Sequence, residues 1–306
     1  MYRFSDFFCI FLMDKIISDR PEAYIQRNYR WNFAVNLTET SLALFGRGFI
    51  EITTFLPVFV SQFTSSRILI GLVSTAVPAG FLLPQLFIAP LIESLQQKKS
   101  IVVRLAIIEK LLYGVLAGLT FSALRLDPGL LTFLFICICF LIGFSGGVTQ
   151  IGWSELMASI FPPGTHGRYF GTAFFVGGLL GSVGAYLGGL ILERVVFPGN
   201  YALSFFLGFL FSLISWTCLL GIREPPSEVV VKKRESQCIF LSGLGTLLKA
   251  DRVFLAFLLA QAGLLMGGMA FAFVAVYAQE YLFLDGYQIG ILSVFLLVGG
   301  TFGSLV

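Results

Sequence analysis

Charged side chains are scarce in this sequence. Asp, Glu, Lys and Arg make up 12% of its 306 residues, about half the share usual in soluble globular domains. Hydrophobic residues account for 57%, and the mean hydropathy is +0.90. Apolar runs of about 20 residues are long enough to cross a bilayer as helices. The composition excludes an ordinary soluble protein and predicts an all-α polytopic membrane protein with little material left for a soluble domain.

Residue types that carry catalysis or bind metals are also few. His166 is the only histidine and cannot form a metal cluster or a His-based triad by itself, and the five cysteines show no CxxC spacing. No GxxxxGK phosphate loop or GxGxxG fingerprint occurs. We therefore expect no enzyme activity, no metal and no cofactor. The net charge of +3 is too small to favour a nucleic-acid partner.

The apolar residues fall into runs of spanning length that follow a charged N-terminal stretch. We predict membrane helices over 37–60, 67–91, 101–124, 129–155, 169–192, 199–222, 253–281 and 287–306. The widest gap, 223–252, opens with Arg223-Glu224-Pro225-Pro226 and separates six helices from two. The predicted organisation is a tail (1–31), a six-helix bundle (32–222), a linker (223–252) and the start of a second bundle (253–306).

The basic residues indicate the orientation of the chain. The tail, the 223–252 linker and the other connections on their side of the membrane carry fifteen Lys and Arg, whereas the opposite connections carry three: Arg67, Arg125 and Arg194. Because basic residues are enriched in cytoplasmic loops, this bias places the N-terminus and the linker in the cytoplasm. We expect the protein in the plasma (inner) membrane.

The two sides of the linker resemble each other. The segments 56–60 and 70–74 of the first side parallel 274–278 and 289–293 of the second, with one residue of difference in spacing. Internal duplication, with a site between the repeats, is typical of secondary transporters. By that logic the second half should also contain six helices. Since the sequence ends at Val306, within the eighth run, we expect a partial chain.

Three local motifs show a family resemblance. One known loop motif consists of Gly, three residues, Asp, Arg, any residue, Gly and two basic residues. The turn at 89–99 keeps an acid at Glu93 and the basic pair Lys98 and Lys99, and it has Ala89 and Gln96 at the two glycine positions. The turn at 162–171 is similar to a Pro…Arg-Gly-Arg turn, and the glycine-rich run 177–189 resembles an antiporter motif. Together they resemble the major facilitator superfamily over about residues 32–306.

This resemblance implies a fold and a function. The fold would be the superfamily's helical bundle, here a six-helix N-terminal half plus the first two helices of the C-terminal half, with helix one lining a central cavity. The function would be secondary transport of a small solute by alternating access, with the lipid bilayer as surroundings and proton coupling left open. The gating candidates are Glu93, Lys98 and Lys99 of the loop motif, together with Glu155, which is expected to meet Arg168 either as an inward-side latch or as an exposed ion pair of little energetic weight. A non-transporting receptor or scaffold of the same ancestry, or an inactive fragment, stays open as the alternative.

Four charged residues lie deep within the first and third predicted spans: Arg47 and Glu51 in the first, Glu109 and Lys110 in the third. A charge at bilayer depth costs about 2.5–3.5 kcal/mol, so each needs a partner or a function. Spaced four apart, Arg47 and Glu51 are expected to pair on one helix face, whereas the adjacent Glu109 and Lys110 should point about 100° apart and seek partners elsewhere.

The functional hypothesis is that Arg47 and Glu51 bind substrate or carry a coupling proton, with Glu109, Lys110 and Gln150 as further candidates. The structural alternative is a salt-bridge cluster that ties the first and third helices together.

The orientation yields a topology prediction. An epitope tag inserted after Ser236, in the linker, should bind antibody only after the cells are permeabilised, because the linker is predicted to be cytoplasmic. A tag after Leu126, in a connection on the opposite side, is the control and should react on intact cells. Antibody binding to the Ser236 tag on intact cells would contradict the assigned orientation.

Overall fold

A computed structural model of the chain describes residues 21–85, 87–88, 97–226, 250–268 and 271–303, and these contain helices, turns and loops without a strand. Residues 1–20, Glu93 and most of the predicted linker (227–249) lie outside the described residues. The helices are α1 (Pro21–Gly48), α2 (Phe55–Ser61), α3 (Arg67–Leu82), α4 (Lys98–Phe121), α5 (Pro128–Ile160), α6 (His166–Arg194), α7 (Gly199–Leu219), α8 (Arg252–Gly268), α9 (Phe271–Leu282) and α10 (Gly286–Gly303).

The first predicted span is divided between two helices. α1 starts at Pro21, a residue favoured in the first turn of a helix, so the predicted boundary at residue 32 falls inside it. The continuous helix predicted over 37–60 is wrong, because α1 ends at Gly48 and α2 begins at Phe55. Pro57 has no amide hydrogen to continue an α1 ladder, and the Glu51 side chain accepts the backbone N–H of Thr53 at 3.3 Å, which competes with helical pairing.

The helices differ in how well each would cross a membrane alone. By length and composition, α5, α6 and α7 are long and apolar enough, whereas α3 and α10 are apolar but shorter. α4 has 24 residues, yet it carries Glu109 and Lys110 near its middle. The remaining predicted spans correspond to α1 with α2 and to α8 with α9. The charged helices depend on their neighbours for a place in lipid.

The order of neighbouring helices around the first bundle is α6, α1, α7, α4, α5 and α3. α2 is buried among them, and the ring of its Phe59 lies 5.0 Å from Phe135 on α5 and 5.2 Å from Tyr201 on α7. An apolar core surrounds α2, and a second core surrounds Tyr169 and Phe161 at the opposite end. The middle of the bundle lies between these two cores.

Two glycine faces let α6 approach helices on both sides. On one face, a Cβ on Gly184 would overlap the carbonyl oxygen of Phe45, and one on Gly48 of α1 would overlap that of Gly181. On the other face, a Cβ on Gly189 would come within 2.6 Å of the Cα of Gly290 on α10. Small residues allow such backbone contact between membrane helices.

The similar segments of the two halves occupy equivalent elements. Residues 56–60 and 274–278 lie on α2 and α9, while 70–74 and 289–293 lie on α3 and α10. α9 packs against α2, and α10 packs along α6. The hydroxyl oxygens of Thr54 and Ser293 are 2.6 Å apart. The start of the second half therefore contacts the first half directly.

The contact of Gly184 with α1 can be tested by adding one methyl group. We expect Gly184→Ala to lower the free energy of unfolding by about 1–3 kcal/mol, because the added carbon forces α1 and α6 apart. Gly171→Ala on the same helix is the control: nothing lies within 4 Å of its Cβ position, so it should be neutral or slightly stabilising. Thermal unfolding in detergent measures both, and equal midpoints for the two variants would contradict the packing.

Candidate functional site

Charged residues gather in the middle of the bundle, between the two apolar cores. Glu39 and Arg47 come from α1, and Glu109 and Lys110 come from α4. The residues Glu109 and Lys110 are only 4% and 5% exposed. An isolated charge at such a position is costly, so each of these charged side chains is expected to lie close to one of opposite sign.

Glu109 is shared between two cations. Its Oε1 lies 3.5 Å from Nη2 of Arg47, and its Oε2 lies 3.2 Å from Nζ of Lys110. The Tyr113 hydroxyl also donates to Oε1, at 3.5 Å. The expectation that Glu109 and Lys110 cannot pair was wrong, because the long, flexible lysine chain reaches around the 100° between adjacent positions. The Arg47–Glu109 contact joins α1 to α4, as in the structural alternative.

Glu51 does not pair with Arg47, contrary to the sequence prediction. The four-residue spacing brings side chains together only within one helix, and α1 ends at Gly48, between the two residues. The Glu51 carboxylate instead accepts the Thr53 hydroxyl at 2.8 Å and the Thr53 amide at 3.3 Å. Among the described residues, no cation lies within ion-pair distance of Glu51.

Glu39 belongs to the same region, and the sequence reasoning missed it. Its carboxylate accepts hydroxyl hydrogens from Ser215 and Thr40, each at 3.2 Å, and the hydroxyl oxygen of Thr40 lies 3.2 Å from that of Tyr169. Glu39 is only the third residue of the predicted span 37–60, close to its boundary. The eight-residue spacing from Glu39 to Arg47, a little over two helical turns, was the signal that could have placed both on one face.

Two cavities meet at Arg47. One, of about 150 Å³ and called here the Glu51 cavity, is lined by Arg47, Glu51, Tyr113 and mostly aliphatic residues. The other, of about 130 Å³ and called the Glu39 cavity, is lined by residues that include the polar set Glu39, Arg47, Glu109, Lys110 and Gln150. The Arg47 side chain is 51% exposed. Four of the five predicted binding residues thus share one cavity, and Glu51 lies in the neighbouring one with Arg47.

Three of the predicted gating residues, Lys98, Lys99 and Glu155, lie at another level of the bundle, where α4 begins. Lys98 forms an ion pair with Glu155. The predicted partner of Glu155, Arg168, is wrong, because α5 packs along α4 rather than along α6. Arg168 is exposed and makes no ion pair with the described residues. Nζ of Lys99 donates to the carbonyl oxygens of Leu220 and Ile222, at 2.8 and 2.7 Å, just past the end of α7.

Residues after α7 fasten this end of the bundle. The Glu224 carboxylate accepts the amide N–H groups of Lys98 and Lys99 at 2.8 and 3.0 Å, which satisfies donors that the first turn of α4 leaves unpaired. The Arg223 guanidinium lies 4.8 Å from the Trp31 ring centre and donates to Asn28 at 3.0 Å. These contacts join α1, α4 and the segment that follows α7.

The cap on α4 can be tested by truncating Glu224. We expect Glu224→Ala to lower the free energy of unfolding by about 1 kcal/mol, since helix caps contribute about 0.5–2 kcal/mol. Glu193→Ala, at an exposed glutamate near the end of α6 with no ion pair among the described residues, should have little effect. Thermal unfolding in detergent measures both, and a Glu224→Ala midpoint equal to that of the unmodified chain would refute the capping role.

Comparison with known proteins agrees with this architecture. Residues 40–306 match the family model of the Major Facilitator Superfamily, a range that includes the candidate site except Glu39. Comparison with curated proteins gave no match. Within the described residues, no group of three His, Cys, Asp or Glu side chains could hold a metal ion. An all-helical bundle with paired charges in its middle and a family match over most of its length lead to one conclusion: the chain is an integral membrane protein that belongs to the Major Facilitator Superfamily.

Proposed function

We propose that this chain forms the first half and the start of the second half of a secondary transporter, which moves a small solute by alternating access around Arg47. The observation that carries the proposal is that Arg47 lines both cavities while its side chain stays half exposed. An arginine that served only to hold two helices together would be expected to lie buried against its partner. An exposed guanidinium within the bundle can meet a solute.

The break between α1 and α2 supports a transport site. Irregular backbone at membrane depth is tolerated where it is buried in protein or lines a cavity, and interrupted helices at corresponding positions of two repeats mark the substrate site of many transporters. Ile50, Glu51 and Ile52 of the break line the Glu51 cavity.

The residues of the site are assigned different roles. Arg47 binds the solute, and Glu51, whose carboxylate has no cationic partner among the described residues, carries the coupling proton. Glu109 and Lys110 hold Arg47 in position through the shared carboxylate. Gln150 contributes a polar group to the Glu39 cavity. The gate at the cytoplasmic end contains Lys98, Lys99 and Glu155. The N-terminus lies on the same side, and the membrane is the plasma membrane.

The contacts between halves provide a surface for rocking. α10 packs along the second glycine face of α6, and α9 packs against α2. The Gln62 side chain donates to Gln279 at 3.5 Å, in addition to the contact between Thr54 and Ser293. A few polar contacts and a smooth glycine surface are compatible with one bundle that moves against the other.

A non-transporting membrane protein of the same fold is the second candidate. The observation in its favour is the loop at 89–99, which has Ala89 and Gln96 where the superfamily's loop motif has glycine. A receptor or scaffold would retain the bundle without solute flux, so a flux measurement separates the two functions.

The transport proposal predicts defined effects of two substitutions. In proteoliposomes tested with a panel of sugars, amino acids and organic cations, the chain should take up at least one solute. Arg47→Gln should reduce that uptake at least about tenfold, because the binding cation is lost. Glu51→Gln should abolish the dependence of uptake on an imposed pH gradient, because a glutamine side chain cannot carry a proton.

The matched control is Arg194→Gln, an exposed arginine at the end of α6, which should transport like the unmodified chain. Uptake that still follows the pH gradient in Glu51→Gln would overturn the proton role. Absence of flux with every solute would favour the non-transporting function.

A further inference from the structure

The Glu51 cavity contains two opposite charges that do not neutralise each other. Arg47 and Glu51 both line it, yet the ion pairs of the described residues are Arg47 with Glu109, Lys98 with Glu155 and Lys110 with Glu109. Oppositely charged side chains in one low-dielectric cavity attract each other strongly. Their separation leaves a space with a positive and a negative end.

Each of the two groups retains binding capacity. Arg47 has one hydrogen bond to Glu109, at 3.5 Å, while a guanidinium carries five N–H donors. Glu109 must also serve Lys110, so its charge is divided between two cations. The Glu51 carboxylate accepts hydrogen bonds from Thr53, and a carboxylate has about four acceptor positions.

The remaining lining sets the size and polarity of the occupant. Most of it is aliphatic, with Leu44, Ile52, Leu56, Val77, Leu116 and Ile142 among its members. The volume of about 150 Å³ equals that of an engineered apolar cavity that admits benzene. A compact ligand with one branched aliphatic group fits this space, whereas a large amphipathic molecule does not.

We propose that the Glu51 cavity binds an aliphatic α-amino acid as its zwitterion, with the ammonium at Glu51, the carboxylate at Arg47 and the side chain against the aliphatic wall. The inference rests on the proposed function and names the substrate class of the same site. A zwitterion brings no net charge into the bundle and satisfies both side chains. An amine alone leaves Arg47 unmatched, and an acid alone faces Glu51, so each loses one charge-assisted hydrogen bond.

The proposed contact between the ammonium group and Glu51 is also compatible with proton coupling at this residue. The ammonium requires the ionised carboxylate, so the proton and the amino acid occupy Glu51 in turn. One side chain therefore serves both steps.

The test compares three molecules that differ only in charged groups: L-valine, isobutylamine and 3-methylbutanoate. Isothermal titration calorimetry on the full chain in detergent at neutral pH should show valine binding at least about tenfold more tightly than either analogue. Arg47→Gln should remove the preference for valine over isobutylamine. Glu51→Gln should remove the preference for valine over 3-methylbutanoate, and Arg194→Gln should retain both preferences.

The proposal is overturned if either analogue binds the unmodified chain as tightly as valine, if none of the three binds, or if both preferences survive in the variants. Should Arg47→Gln fail to fold, Glu51→Gln still decides the matter, since Glu51 has no ion pair among the described residues to lose. Arg47-dependent flux of a sugar would reject the amino-acid site and retain transport. Valine binding without flux would retain the site and reject transport.

Discussion

A charge inside a bilayer is costly unless a partner lies close, and the middle of this bundle is organised around that constraint. Glu109 takes a hydrogen bond from a cation of its own helix and another from α1, so one carboxylate both neutralises α4 and joins it to α1. Glu39 lines the same cavity as these three residues, so the formal charges of the four side chains sum to zero. Polar helices can therefore occupy positions that their composition alone would not allow.

Arg47 connects this neutral group to the rest of the protein. It contacts Glu109 at the edge of the charge cluster and also lines the cavity that contains Glu51. The position depends on backbone contact between α1 and α6, which requires glycine on both helices. Larger side chains in place of these glycines would push α1 away from α6 and would shift Arg47 relative to both cavities. Packing and function are thus coupled through the placement of one helix.

Sequence reasoning predicted the helical bundle, and four of its binding candidates, Arg47, Glu109, Lys110 and Gln150, line the Glu39 cavity. It erred where a single helix was assumed to be regular: the break after Gly48 separates Arg47 from Glu51. It also erred where the neighbouring helix had to be known, since Glu155 meets Lys98 rather than Arg168. Hydropathy places the first span by its apolar run and does not detect that α1 begins earlier, at Pro21. Glu39, near the start of that run, is therefore not recognised as a residue of the bundle interior.

The one-dimensional pattern decided which segments are apolar enough to enter a membrane and which charges must find partners there, because transfer free energies depend on residue type and run length. It could not decide which partner each charge meets. That choice depends on the packing of α1 against α6 and α7 and of α4 against α5, and such contacts arise between residues far apart in the chain. Only the folded bundle brings Arg47 to Glu109 while leaving Glu51 apart, since side-chain reach and helix ends, rather than spacing, set the distances.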